Sequence, residues 1–121
     1  MLNLLAIFIG GGLGSLCRYG ISKVSAKLIS TNFPLGTFIS NTLSCIILAL
    51  AVIYFSGKTN NITLKLLIIT GFCGGFSTFS TFSFETFELL KQGNYLIAAL
   101  NILISVLVGV ALIFILLKNQ A

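Results

Sequence analysis

Apolar residues fill four long stretches of this chain, and short polar or basic stretches separate them. The apolar stretches run over about Leu2–Tyr19, Leu35–Phe55, Leu64–Leu90 and Tyr95–Leu117. A helix of roughly 20 mostly apolar residues is long enough to cross a bilayer. The pattern therefore predicts an all-α membrane protein whose four transmembrane helices form a single domain over residues 1–121.

The third stretch contains an unusual run of residues near its centre. Lys65 and Lys91 flank the stretch and place its midpoint at Thr78; three glycines precede that point, and hydroxyl and phenyl side chains alternate after it. Non-helical backbone survives in hydrocarbon only where protein or an ion satisfies its polar groups. We expect a broken-helix ion site over Gly74–Thr78, followed by a conduction path along the Ser/Thr/Phe run. The glycines, which we expect to loosen the helix, are Gly71, Gly74 and Gly75.

Composition supports the membrane class. Of the 121 residues, 57% are hydrophobic and 7% are charged, which leaves too few polar groups to cover a soluble globule. The formal net charge is +5, and neither histidine nor aspartate occurs. This charge favours anions near the protein, although lysines in loops beside an anionic membrane would give the same count. Because no nucleophile–base constellation is present, we do not expect an enzyme.

Basic residues are almost equally divided between the two ends of the predicted helices. The positive-inside rule orients a membrane protein through an excess of Lys and Arg on one side, and here that excess is a single residue. The weak bias permits insertion in both orientations, so we hypothesise an antiparallel homodimer with a two-fold axis in the membrane plane. One side carries Arg18, Lys23, Lys27 and Lys91, and the other carries Lys58, Lys65 and Lys118.

Several side chains inside the stretches allow two interpretations. Arg18 lies near the end of a span, as an interfacial anchor or as a cation that fixes a polar vestibule. Asn41 suits interhelical hydrogen bonding or donation to an anion. Phe79 and Phe82 are spaced for core packing or for turning their ring edges, the positive part of the quadrupole, toward an anion. A stripe in the fourth stretch packs against a helix or extends a polar track: Asn101, Ser105 and Gly109.

Other local signals concern packing and helix ends. Gly10 and Gly14 form a small-xxx-small pair, which favours close helix packing. The basic connection Ser22–Phe33 is expected to extend the first helix near the interface, and Pro34 is expected to start the second. Asn61 begins a glycosylation sequon, but we interpret it as the cap of the third helix. Three cysteines without a C-x-x-C pair are interpreted as packing residues: Cys17, Cys45 and Cys73.

Three motifs are together similar to one known family. They are Gly10-Gly11-x-x-Gly14-x-x-x-Arg18-Tyr19, Pro34-x-Gly36-Thr37-x-x-x-Asn41, and the string GFCGGFSTFSTFS from Gly71 to Ser83 with Glu85 after it. On these motifs the chain resembles the Fluc (CrcB) family of small fluoride channels over nearly its whole length. The third motif is highly specific, whereas the glycine-rich first motif alone would be weak.

The resemblance implies a fluoride-selective channel that conducts passively, and a dual-topology antiparallel homodimer with two pores in the cell (inner) membrane. Its implied partners are fluoride, a second copy of itself and the lipid bilayer, without nucleic acid. It also implies a structural Na⁺ at the dimer centre, held by the backbone carbonyls of Gly74 and Ser77 from each subunit. The implied pore residues are Asn41, Phe79, Ser80, Thr81, Phe82 and Ser105, and the vestibule residues are Arg18 and Glu85.

Two departures from the family pattern and two competing classes accompany this resemblance. Ser77 stands where the family commonly has threonine, and Asn101 where a tyrosine is common, which leaves the role of Asn101 open.

A four-helix proton-coupled drug exporter needs a membrane-embedded carboxylate, for which Glu85 is the candidate. A non-transporting assembly subunit would use the polar faces only for packing. The residues alone do not distinguish fluoride from chloride, or passive conduction from coupled exchange.

Overall fold

The computed structural model describes residues 1–57 and 61–120, and every regular element in those ranges is a helix. Lys58, one of the basic residues counted above, lies outside the described residues. The helices are α1 (Leu2–Leu28), α2 (Leu35–Phe55), α3 (residues 62–76), α4 (Phe79–Lys91) and α5 (Tyr95–Leu117). In this part of the chain four segments are long and apolar enough to cross a membrane: α1, α2, α3 together with α4, and α5. The predicted four-span architecture is confirmed.

α1 is longer than the apolar stretch that predicted it. It continues past Tyr19 to Leu28 and ends where Ile29 adopts extended backbone angles, φ −133° and ψ 122°. Its 27 residues correspond to a length of about 40 Å. The basic connection after Tyr19 is therefore helical as far as Leu28, which agrees with the expected extension of the first helix. Pro34 lies at the N-cap of α2 and not inside its first turn.

α3 changes its helical form along its length. It is α-helical over Ile62–Lys65, π-helical over Leu66–Cys73 and α-helical again over Gly74–Phe76. The Asn61 side chain accepts a hydrogen bond from the Leu64 backbone N–H over 3.0 Å. This contact confirms Asn61 as the helix cap, because the bond satisfies an N–H group that has no partner within the helix.

Glycines bring the backbones of α1 and α3 into contact. A Cβ on Gly10 would overlap the Leu67 carbonyl oxygen, and one on Gly14 would overlap the Phe72 carbonyl oxygen. On the opposite helix, a Cβ on Gly75 would overlap the Gly11 carbonyl oxygen. The packing role predicted for Gly10 and Gly14 is therefore confirmed.

Gly74 and Gly75 do not loosen the helix of the third stretch, and for these two glycines that expectation was wrong. Gly74 has helical angles, φ −65° and ψ −34°, and Gly71 lies within the π-helical turns. Glycine is required at positions 71 and 75 because the backbone of α1 packs directly against Gly71 and Gly75. These two glycines therefore serve helix packing and not backbone flexibility. Backbone freedom is used instead at Gly93, whose φ of 83° forms the turn between α4 and α5.

α5 returns from that turn to pack against α2. Gly109 faces the Cys45 sulfur, which would lie 3.3 Å from a Cβ at that position. Small side chains such as Ala49 and Ala98 are buried, whereas most large apolar side chains of α1 and α5 are exposed. An apolar exterior over small buried residues is the packing expected of helices surrounded by lipid.

Candidate ion site at the break in the third span

The third span is interrupted at two residues. Ser77 (φ −87°, ψ 158°) and Thr78 (φ −152°, ψ 123°) are extended, and they separate α3 from α4. Thr78 is also the N-cap of α4, since its Oγ1 accepts from the Thr81 N–H over 3.1 Å. The break lies at the predicted midpoint of the span, but it is shorter than the expected Gly74–Thr78, because residues Gly74–Phe76 are helical.

Several carbonyl oxygens lose their regular helical donors at the break, and those of Gly74 and Ser77 are among them. In a continuous α-helix the Thr78 N–H would donate to the Gly74 carbonyl and the Thr81 N–H to the Ser77 carbonyl. The Thr78 N–H instead donates to Asn41 Oδ1 over 2.8 Å, and the Thr81 N–H donates to the Thr78 side chain. The carbonyls of Gly74 and Ser77 are thus released from the helical pattern.

Neighbouring helices satisfy other carbonyls around the break. Asn41 Nδ2 donates to the Thr78 carbonyl oxygen over 3.3 Å, and Ser44 Oγ, one turn along α2, donates to the Cys73 carbonyl oxygen over 3.1 Å. The Ser77 hydroxyl donates to the same Cys73 oxygen over 2.7 Å. From α1, Arg18 Nε donates to the Gly75 carbonyl oxygen over 3.0 Å. These bonds lower the cost of interrupting a helix inside a membrane.

A cavity of about 280 Å³ opens beside the break. The phenyl rings of Phe79 and Phe82 lie 6.0 Å apart between centroids, at an interplanar angle of 42°. Phe79 is 79% exposed, so its ring stands free on the surface of the single chain. The cavity is lined by Asn41, Cys45, Ser77, Thr78, Phe79, Phe82, Ser105 and Val106. The structure therefore collects most of the expected pore residues around one space.

The polar stripe of α5 connects to α4 at the edge of this cavity. The Ser105 hydroxyl donates to Asn101 Oδ1 over 3.3 Å, and Asn101 Nδ2 donates to Thr86 Oγ1 over 3.0 Å. Thr86 in turn donates to the Phe82 carbonyl oxygen over 2.8 Å. Asn101 is only 1% exposed, so its amide acts as a buried link between helices.

Five expected site residues lie outside the lining of this cavity, and one of them is Gly74, which is exposed in the last turn of α3. Ser80 is exposed, 3.3 Å from Thr78 Oγ1 between hydroxyl oxygens, and Thr81 is half-buried at the start of α4. Glu85 lines a separate cavity of about 200 Å³ together with Thr37. One carboxylate oxygen of Glu85 is buried without a hydrogen-bond partner in the described part of the chain. Arg18 lines neither cavity and binds the end of α3.

Sequence reasoning missed four residues that shape the site. Cys45 and Val106 line the cavity. Cys45 follows Asn41 by one helical turn, and this spacing is a sequence signal that the two side chains share a face of α2. Ser44 follows Asn41 by three residues and shares its face of α2, but local sequence does not reveal its hydrogen bond to the Cys73 carbonyl at the break. Thr86 was not singled out, because its partner Asn101 lies across the turn on another helix.

The oxygens released at the break suit a hard cation. Within residues 1–57 and 61–120, no group of three or more His, Cys, Asp or Glu side chains comes together, so a side-chain metal cage is not the arrangement present there. Backbone carbonyls can replace the hydration shell of an alkali cation. A Cβ on Gly74 would meet nothing within 4 Å, so this end of α3 is open. The donor set of Gly74 and Ser77 therefore fits Na⁺, and a single chain supplies two such oxygens.

A four-span helical membrane protein with a broken span beside an amide- and phenyl-lined cavity falls in the class of ion-handling membrane proteins. The family profile described as CrcB-like protein, Camphor Resistance (CrcB), matches residues 5–116. The chain belongs to this family and is a multi-pass membrane protein.

Relatives named "Fluoride-specific ion channel FluC" match most of the chain. The protein from Dehalococcoides mccartyi is 42% identical over 114 residues, which cover 93% of this chain and 88% of that protein. The protein from Pyrococcus abyssi is 46% identical over 111 residues, covering 91% and 89%. The protein from Serratia proteamaculans is 47% identical over 104 residues, covering 85% and 81%.

Proposed function

We propose that this chain forms a fluoride-selective channel that exports fluoride across the cell membrane by passive conduction. The observation that carries the proposal is the break in the third span, which lies directly beside a cavity lined by Asn41, Phe79 and Phe82. The names of the relatives support fluoride as the ion. Because a channel forms and breaks no covalent bond in its substrate, the chain is not an enzyme.

The cavity wall offers donors that suit a compact anion. An amide nitrogen carries two N–H groups, so Asn41 retains one after donating to Thr78. The edges of Phe79 and Phe82 carry the positive part of the ring quadrupole and attract an anion without binding it tightly. The Ser105 hydroxyl is committed to Asn101 and must rotate to serve an ion. This mixture replaces part of the hydration shell and still permits release, which conduction requires.

The working unit that we propose is an antiparallel homodimer with two pores and a central structural Na⁺. Two copies related by a two-fold axis in the membrane plane would bring their breaks together, because the break lies at the middle of the span. Each copy would supply the carbonyls of Gly74 and Ser77. The exposed Phe79 ring and the open space beside Gly74 support a partner surface here. A fixed cation at the centre also raises the potential for passing anions.

The deciding experiment is ion efflux from liposomes that contain the purified protein. We expect fast fluoride efflux and negligible chloride efflux, with protein-free liposomes as the control. Equal efflux of both ions would contradict fluoride selectivity, and efflux of neither ion would favour an assembly subunit. Unchanged fluoride efflux without a proton gradient, together with function of the Glu85→Gln variant, would exclude a proton-coupled exporter that uses this carboxylate.

The proposed topology has its own test. A C-terminal tag probed from each side of sealed vesicles should be accessible in both orientations in comparable amounts. The matched control is a variant with two lysines added to the loops on one side of the membrane. The excess of positive charge on that side should fix a single orientation. Accessibility of the wild-type tag from one side only would contradict the antiparallel homodimer.

A further inference from the structure

Arg18 lies where α1 passes the carboxyl-terminal end of α3. α3 ends at Phe76, well inside the third span, and such an end carries partial negative charge and carbonyls that lack helical donors. Arg18 Nε donates to the Gly75 carbonyl oxygen over 3.0 Å, from a position 57 residues away in the sequence. The half-buried side chain is therefore directed into the protein and not toward the interface, where an anchoring arginine would extend.

The glycine contacts between α1 and α3 explain how the guanidinium reaches this oxygen. Gly14 lies one helical turn before Arg18 and has no room for a Cβ against the Phe72 carbonyl. Gly75 itself faces the Gly11 carbonyl with equally little room. A side chain at either glycine would push the helices apart and move Arg18 out of hydrogen-bonding range. The close approach of α1 and the Arg18 contact therefore form a single arrangement.

The bonded carbonyl is adjacent in sequence to a proposed cation ligand. Successive carbonyls are spaced about 100° apart around a helix end. With the Gly75 oxygen bonded to Arg18, the Gly74 oxygen lies one position earlier around the same last turn, and a Cβ on Gly74 would meet nothing within 4 Å. Its regular donor, the Thr78 N–H, is bonded to Asn41. The orientation of the Gly74 carbonyl thus depends on how firmly the last turn of α3 is held.

We propose that Arg18 is a positioning residue for the central cation: its guanidinium holds the last turn of α3 so that the Gly74 carbonyl stays directed toward the cation. This inference rests on the proposed cation site. It assigns Arg18 a geometric task in addition to its charge. Lysine cannot perform that task equally well, because a guanidinium Nε–H is a planar donor of fixed direction, whereas an ammonium group is a mobile point charge.

The test is Na⁺ binding, measured through the Na⁺-dependent rise in the denaturation temperature of the purified protein. We expect Arg18→Gln and Arg18→Lys each to weaken the apparent Na⁺ affinity about ten-fold, the effect of losing one hydrogen bond of ordinary net strength. The matched control is Lys23→Gln, which removes a basic charge from an exposed position on the same helix, where the ammonium lies 5.6 Å from the Tyr19 ring centroid. That variant should bind Na⁺ as the wild type does.

A second measurement needs no variant. Arg18 is the sole arginine in the sequence, so its Nε–H gives one assignable nitrogen-detected NMR signal. We expect this proton to exchange slowly with water and its signal to shift when Na⁺ is added. Rapid exchange and no shift would overturn the proposal, even where the Arg18 variants fail to fold.

The outcomes separate this inference from the cation site itself. Wild-type Na⁺ affinity in both Arg18 variants would overturn the positioning role and leave the cation site standing. Normal affinity in Arg18→Lys with a defect only in Arg18→Gln would also overturn it, because charge and not geometry would then matter. No effect of Na⁺ on the wild-type protein would overturn both proposals.

Discussion

Substituting Asn41 with alanine removes both hydrogen bonds between its side-chain amide and the backbone of Thr78, a residue of the break. The Thr78 N–H loses its acceptor at 2.8 Å, and the Thr78 carbonyl loses its donor at 3.3 Å. Each buried backbone group left unpaired costs about 1–3 kcal/mol, so the free energy of unfolding should fall by about 2–6 kcal/mol. The half-buried position of Thr78 favours the lower part of this range.

The protein has one way to recover part of this loss. The Thr78 N–H can return to the Gly74 carbonyl, which would extend α3 across the break and withdraw that oxygen from the proposed cation site. Asn41→Ala should therefore weaken Na⁺ binding and abolish fluoride efflux. Asn41→Asp keeps an acceptor for Thr78 but adds a negative charge to the cavity wall. We expect it to recover part of the stability and none of the fluoride efflux.

Equilibrium unfolding in detergent and fluoride efflux from liposomes measure these two effects. The control is Asn61→Ala, which removes an amide that caps a helix on an exposed surface. It should cost about 1 kcal/mol and leave efflux unchanged. Wild-type stability and efflux in Asn41→Ala would refute the reasoning, because the hydrogen bonds to Thr78 would then contribute neither to the free energy of unfolding nor to conduction.

Three further predictions concern the rings, the glycine contact and the buried amide. Phe79→Ile and Phe82→Ile should each abolish fluoride efflux and leave the dimer intact in cross-linking, because isoleucine has no positive ring edge to offer an anion. Gly14→Ala should destabilise the protein by about 1–3 kcal/mol in detergent unfolding, because the new methyl group overlaps the adjacent backbone of α3. Asn101→Ala should cost about 1–3 kcal/mol while fluoride selectivity is retained, because the side chain is buried between α4 and α5.

Each of these predictions has a contrary result. Wild-type efflux in both phenylalanine variants would remove the rings from the mechanism. Gly12→Ala is the control for the glycine variant, because a methyl group there meets nothing within 4 Å; equal stability of the Gly12 and Gly14 variants would contradict the close-packing argument. Altered ion selectivity in Asn101→Ala, without loss of stability, would place that amide in the conduction path.

Much of the architecture follows from the hydrophobic pattern. The bounds predicted for the second and fourth spans, Leu35–Phe55 and Tyr95–Leu117, are those of α2 and α5, because in both cases apolar sequence and helix end together. α1 is longer than its apolar stretch, because the residues between Tyr19 and Leu28 include no proline that would end the helix. Hydropathy indicates only the part of the helix that lies in the membrane. The sequence predicts the break to within a few residues, because hydroxyl residues that can satisfy interrupted backbone cluster at mid-span.

The hydrogen bonds that hold the break could not be predicted from local sequence. Arg18 and Gly75 are 57 residues apart, and Asn41 and Thr78 are 37 residues apart, so each pair depends on how whole helices pack. For the same reason local sequence does not reveal that Gly71 and Gly75 make room for α1. A glycine that gives backbone freedom and a glycine that gives room to a neighbouring helix look alike until the neighbour is known.

The two carbonyls that the family resemblance assigns to the cation, those of Gly74 and Ser77, are among the carbonyls that lose their helical donors at the break. Side chains from α1 and α2 bind the carbonyls of Gly75, Cys73 and Thr78. The donors that would bind Gly74 and Ser77 in a continuous helix go elsewhere. The resemblance compares sequences, whereas the hydrogen bonds follow from the packing of this chain, so the two lines of argument rest on different observations.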